Sequence, residues 1–246
     1  MTKVIIPDSV THIGDNAFAR CVNLKDVKFS AALTHIGDWA FMGCTGLTSV
    51  ILPTAVKSIG DEAFAECRNL TSVVMPSTVE HMGEAAFEGC STQLKLEKIL
   101  VPPVSDFKYS RDGGAIRIDK YVGSGETIML PSLIEGMPVT TIGDKAFARC
   151  ASLTRVIISN SVTHIGDNAF ARCVNLKDVK FSAALTHIGD WAFMGCAGLT
   201  SVILPNTIKS IGDEAFAECR NLTSVKMPST VKHMGEAVFE GCNLKH

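Results

Sequence analysis

The chain has 246 residues, 20% charged and 46% apolar, with a formal net charge of -2 and a pI near 6.4. This composition supplies enough apolar material for one large core or two modest ones. Its basic residues are scattered singly, unlike the basic stripe that a nucleic-acid backbone requires, and no apolar run approaches the ~18–20 residues of a membrane helix.

The chain opens Met1-Thr-Lys-Val-Ile-Ile-Pro, without the long apolar stretch of a secretory signal. From there a phrase of 23 residues recurs. The column Ile13, Ile36, Ile59, Met82 advances by that interval, and the column Ile142, Ile165, Ile188, Ile211, Met234 repeats it. A fixed period in this range predicts a solenoid, in which each unit buries its apolar side against its neighbours.

The clearest copy is read from Gly46. Leu47-Thr-Ser-Val-Ile-Leu suits a short strand, closed by Pro53 where no ladder donor is needed. Val56 to Ile59 makes a second extended piece, and Gly60 is expected to turn with positive φ. Asp61 is expected to cap one helical turn carrying Ala63, Phe64 and Cys67, a turn too short to stand without packing. The Ala-Phe pair recurs in every full repeat, which places the rings in the interior.

After Cys90 the pattern is interrupted. Ile99 lies 26 residues beyond Val73, so three extra residues are expected before the next strand. Arg111-Asp-Gly-Gly between two short apolar runs reads as a β-hairpin. An inserted Ile134-Glu-Gly-Met-Pro138 lengthens the repeat that follows. The expected organisation is a first array over 1–104 and a second over 105–246, the latter opening with the hairpin as a cap. Residues 2–90 and 154–242 align without a gap and differ at ten positions. Three of the exchanges change charge: Asp8 to Asn160, Val74 to Lys226 and Glu80 to Lys232.

The combined phrase Leu-x-x-Val-x-Leu-Pro then Ile-Gly-Asp-x-Ala-Phe-x-x-Cys resembles the BspA-like, or Treponema pallidum-type, leucine-rich repeats. The resemblance covers nearly the whole chain. It implies a leucine-rich-repeat solenoid with a parallel β-sheet on its concave face and short helical turns and extended segments elsewhere. It also implies a cell-envelope, surface or secreted setting, a role in adhesion or protein binding, and no enzyme activity.

In such a strand the residue between the last two core positions faces outward. That row is Ile5, Lys28, Ile51, Val74, Leu100, Met129, Ile157, Lys180, Ile203 and Lys226. Most of these residues are apolar, and strands ~5 Å apart would join them into an exposed stripe that a protein partner could cover.

Three further files recur. All nine cysteines occupy one repeat position, from Cys21 to Cys242. Parallel thiols ~5 Å apart make a buried apolar column rather than a disulfide framework. The histidines His12/His35 and His164/His187 could touch across adjacent units, but each pair offers at most two metal ligands. The aspartates Asp15, Asp38, Asp61, Asp144, Asp167, Asp190 and Asp213 repeat too strictly for acid–base chemistry, which needs an asymmetric cluster, and are assigned to helix capping. No Gly-x-Ser-x-Gly elbow or glycine-rich phosphate loop is present.

The expected function is a non-catalytic protein-binding scaffold acting through the concave surface, with no cofactor, metal or nucleic acid. The alternative is a structural or self-assembling element that associates through open solenoid ends or through the apolar stripe.

Overall fold

A computed structural model describes residues 1–245 and divides the chain into two compact units, Met1–Val101 and Pro102–His246. Each unit is a parallel β-solenoid. In the first, strands Lys3–Ile5, Asp26–Lys28, Ser49–Ile51, Ser72–Pro76 and Lys95–Ile99 form one row. A second row contains His12–Ile13, His35–Ile36, Ser58–Ile59 and His81–Met82, joined in a four-stranded parallel sheet. Partners are one period apart, as in Val50 with Val73 and Ile36 with Ile59.

The second unit repeats this plan and adds the hairpin. Phe107–Asp112 pairs antiparallel with Ala115–Tyr121, which pairs parallel with Met137–Ile142. His164–Ile165, His187–Ile188, Ser210–Ile211 and His233–Met234 then extend the same sheet. The other row comprises Thr127–Met129, Arg155–Ile157, Asp178–Lys180, Ser201–Ile203 and Ser224–Lys226.

Phenylalanine rings fill the interior as stacked files. Phe18, Phe41, Phe64 and Phe87 follow one another at centroid spacings of 5.1, 5.1 and 5.4 Å. Tyr121 of the hairpin stacks on Phe147 at 5.2 Å, and the file runs on through Phe170, Phe193 and Phe216 to Phe239. The hairpin thus carries the aromatic file one ring beyond the repeats of its unit. Leu24, Leu47, Leu70, Leu176, Leu199 and Leu222 are buried alongside.

No helical turn forms after the aspartates. A helix needs each amide to reach a carbonyl four residues back. Here alternate amides bond to the next coil instead: Glu62 to the Glu84 carbonyl at 2.9 Å, Phe64 to Ala86 at 2.8 Å and Glu66 to Glu88 at 2.7 Å. The segment is a chain of tight turns, with left-handed residues at Glu62 (φ 49°) and Glu66 (φ 57°) and at the equivalent places in other coils. Among the described residues the one short helix is a 3₁₀ turn at Val104–Asp106.

Neither the glycine nor the aspartate takes its expected role. Gly60 is not in the left-handed region. It is small because a Cβ there would lie 2.3 Å from Asp38 Oδ1 and 2.7 Å from the Asp38 amide nitrogen. Asp38 does not cap a helix: its Oδ1 accepts the Asp61 amide at 2.8 Å, as Asp15 accepts that of Asp38 at 2.9 Å. Asp144, Asp167 and Asp190 continue the ladder in the second unit, accepting at 3.1, 2.9 and 2.8 Å. Each carboxylate supplies an acceptor to a turn amide that has no partner in its own coil.

Candidate binding surfaces

The outward strand row is interrupted. Ile5 is 62% exposed and Ile203 64%, and Lys226 is also exposed. Lys28, Ile51 and Lys180 are half-buried. Val74, Met129 and Ile157 are buried, against the expectation that they face solvent. Exposure follows the apolar bulk at the neighbouring register positions. Ile157 sits between Met129 and Lys180 and is covered. Ile203, paired with Lys226, has a lysine beside it whose charged end extends to water.

Leu100 does not belong to the row. Val74 pairs with Glu97 and Val73 with Leu96, so the period of 23 continues through this strand and Leu100 falls just after it. The extra residues therefore follow the pairing instead of preceding it. What remains of the stripe is isolated apolar side chains among lysines.

The cysteine file is structural. Cys44, Cys67, Cys173, Cys196 and Cys219 are buried and the other four half-buried, all as free thiols. Each of five consecutive thiols in the second unit except the first donates to a phenylalanine carbonyl 26 residues earlier, as Cys196 does to Phe170 at 3.1 Å. Burial pushes Cys44 up to about 11 and Cys219 up to about 12, so neither forms the thiolate that reacts. A thiol-specific reagent at pH 8 should leave the five buried cysteines unlabelled in the native chain and label all nine once it is unfolded. Rapid native labelling of Cys44 or Cys219 would contradict the packing.

The histidines do meet across coils. His12 and His35 stack at 4.4 Å with ring planes 3° apart, and His164 and His187 at 4.6 Å and 5°. Thr186 Oγ1 donates to the Thr163 carbonyl at 3.0 Å and lies 2.8 Å from His187 Nδ1. Its proton is spent on the carbonyl, so His187 Nδ1 carries the hydrogen of the second contact. Parallel rings this far apart cannot share a zinc ion, which bonds each nitrogen at ~2.0–2.1 Å. Burial, then the neighbouring His187, holds His164 below the ordinary histidine range. Among the described residues no group of three or more His, Cys, Asp or Glu side chains is placed to hold a metal.

On the turn face of the second unit two depressions adjoin, of about 340 and 280 Å³. Both are lined by Arg172 and Met194. The first adds Lys145 and Arg149, the second Glu218 and Arg220. Sequence reading gave these residues no role. They carry one visible signal, the 23-residue interval between Arg149 and Arg172.

A family model described as the BspA type leucine rich repeat region matches residues 1–107 and 133–246, in six copies. No curated protein matches the sequence. Among solved structures, the chain is similar to a leucine rich cell surface protein from Faecalibacterium prausnitzii A2-165, with 29% identity and a TM-score of 0.52. That match covers 100% of this chain and 78% of the other. A leucine rich repeat protein of Treponema pallidum is also 29% identical, over 59% of this chain and 91% of its own, with a TM-score of 0.44. A leucine-rich repeat protein from Bacteroides ovatus is 25% identical over 99% of this chain and 77% of its own, with a TM-score of 0.43.

Proposed function

The chain belongs to the BspA-type leucine-rich repeat family, and from that premise we propose that it is a non-catalytic scaffold that holds a protein partner at the cell surface. The observation that carries this reading is where the chemically capable side chains are spent. Aspartate Oδ1 atoms accept turn amides, cysteine thiols donate to carbonyls, and no buried side-chain nitrogen or oxygen among the described residues lacks a partner. A catalytic site needs groups held apart from such service and in contrasting environments. What is left for function is the set of solvent-facing rows, and rows of side chains on a rigid repeat suit macromolecular contact.

The surface setting is supported by the similar cell surface protein from Faecalibacterium prausnitzii. No helix among the described residues is long and apolar enough to cross a membrane. Within the strand row, Ile203 is the most exposed apolar member and the one best placed for a partner.

Replacing Ile203 by aspartate adds a charge at an exposed site, so the melting temperature should move by no more than about 2 °C. Capture of a purified envelope or matrix protein that binds the wild type should fall at least about tenfold, the cost of burying an unpaired charge at an interface. Undiminished binding by this variant would remove the strand row from the contact. Light scattering over a concentration series separates the alternative: a mass that rises with concentration and drops in the variant would mean that copies of the chain contact one another through this row.

A further inference from the structure

Among the described residues each unit has one seam in its strand row. Asp26–Lys28 pairs with Lys3–Ile5 on one side, but not with Ser49–Ile51 on the other, which starts a separate sheet with Ser72–Pro76. Asp178–Lys180 and Ser201–Ile203 are left unpaired in the same way. The bonds that flank strand pairs elsewhere are missing at the same place. Ile6 donates to the Lys28 carbonyl at 2.8 Å and Leu52 to that of Val74 at 3.0 Å, yet Phe29, between them in the repeat, makes no backbone bond to Ile51. Phe181 likewise makes none to Ile203. At the other strand end Thr71 donates to the Thr48 carbonyl and Thr223 to that of Thr200, both at 2.9 Å. The amides of Thr48 and Thr200 reach no carbonyl of the preceding coil.

Both seams follow an aromatic residue. The position just after each strand holds Ile, Leu or Met in the other coils, such as Ile6 and Leu52, but Phe29 and Phe181 where the ladder is broken. Phe29 stands edge-on to Phe41 at 5.8 Å, and Phe181 to Phe193 at 5.6 Å. Extra bulk in a packed interior is accommodated by backbone shifts, and here the shift falls where the next strand would pair. The other faces of the same two coils stay tied. His35 pairs with Ser58 and Ile36 with Ile59, while Trp39 donates to the Asp61 carbonyl at 2.9 Å and Phe41 to that of Ala63 at 2.7 Å. In the second unit His187 pairs with Ser210, and Trp191 donates to Asp213 at 2.9 Å. Side chains close the seam just before the strands, Asn69 Nδ2 donating to the Thr45 carbonyl and Asn221 Nδ2 to that of Ala197, each at 2.8 Å. Two coils bonded along two faces and open along the third can rock about the bonded side.

We propose that each seam is a hinge, through which the strand row changes its spacing when a partner docks. The hinge deepens the strand-row reading and rests on it, because the seam lies inside that row. Lys28 and Ile51 flank it in the first unit, Lys180 and Ile203 in the second. Ile203, the most exposed apolar member of the row, stands at its lip. Thr48 and Thr200 are exposed, so water serves their amides in the open form as the ladder would in a closed one. Exchanging one set of hydrogen bonds for the other changes the free energy little, which leaves both forms accessible. A partner that spans the seam then favours whichever spacing it contacts better.

The test uses the full chain and needs no partner. Relaxation dispersion of isoleucine methyl groups reads the microsecond-to-millisecond range in which hinges move. Dispersion is expected at Ile51 and Ile203 and not at Ile36 and Ile188, which lie on the bonded side. Amide hydrogen exchange supplies a second reading. Thr48 and Thr200 should exchange at least about tenfold faster than Thr71 and Thr223, which share their residue type and repeat position but are bonded. Phe181→Leu introduces the residue type of Leu204 and should quench the dispersion at Ile203 and slow Thr200 exchange at least about tenfold. The first-unit signals of Ile51 and Thr48 should not change in that variant. If Phe181→Leu fails to fold, the wild-type measurements still decide. Flat dispersion at Ile51 and Ile203, or protection of Thr48 and Thr200 equal to that of Thr71 and Thr223, would overturn the hinge. A rigid seam in a chain whose partner binding still falls with Ile203→Asp would do so and leave the strand-row reading standing.

Discussion

Truncation of Phe193 to alanine is expected to destabilise the second unit by about 4–5 kcal/mol, near the top of the range for a buried aromatic ring. Phe193 has no solvent exposure. Its ring stacks on Phe170 at 5.0 Å and on Phe216 at 5.1 Å, with Phe181 edge-on at 5.6 Å. Removing it forfeits three aromatic contacts of roughly 0.5–1.5 kcal/mol each beyond area burial. The cavity cannot collapse readily, because every coil above and below is tied to its neighbours by backbone bonds at fixed spacing, such as Phe193 to Ala215 at 2.7 Å. Phe239 provides the comparison. It is half-buried, at 5.7 Å from its one stacked partner, and its truncation should cost less than half as much. Urea denaturation followed by circular dichroism measures both. A loss below about 1.5 kcal/mol for Phe193→Ala would mean that the aromatic file is not what holds the coils together.

The period was legible because a solenoid writes its architecture along the chain: residues that share a file share a position in the phrase. The Phe, Leu, Cys and Ile columns follow directly, as does the meeting of His164 with His187. Roles set by the neighbouring coil were not legible. Asp61 looks like a helix cap within its own segment, yet its Oδ1 accepts the Glu84 amide at 2.8 Å, a partner 23 residues away. The left-handed residues were missed for the same reason, since Trp39 and Glu62 have no local signature of that conformation. Met129 and Ile157 read as exposed from the sequence because alternation along a strand says which way a side chain points, and nothing about what bulk stands beside it. Leu100 joins the row only if three extra residues precede the strand, so that Ile99 matches Val73; the pairing of Val74 with Glu97 instead keeps the interval of 23. For the seams, Phe29 and Phe181 were visible as members of an apolar column. The broken ladder beside them is a property of the packed coils alone.

Gly60→Ala is the substitution that most directly tests the aspartate ladder, and it should cost about 3 kcal/mol or more. The added methyl would stand 2.3 Å from Asp38 Oδ1, 2.7 Å from the Asp38 nitrogen and 2.7 Å from the Gly37 carbonyl carbon. Two of the three obstacles are backbone, so a side-chain rotation cannot relieve the clash. Displacing the Asp38 carboxylate also breaks its bond with the Asp61 amide, an exposed bond whose acceptor water can replace, so this adds no more than about 0.5–1.5 kcal/mol. Gly14 occupies the same place in the first phrase, yet nothing lies within 4 Å of a Cβ built there. Gly14→Ala should therefore be neutral, or stabilising by about 0.4–1 kcal/mol through the reduced freedom of the unfolded chain. The two changes are identical in chemistry and in repeat position, so their difference isolates the contact with the preceding coil. Equal effects on the denaturation midpoint would show that glycine serves backbone conformation at this position and that close approach to the aspartate is incidental.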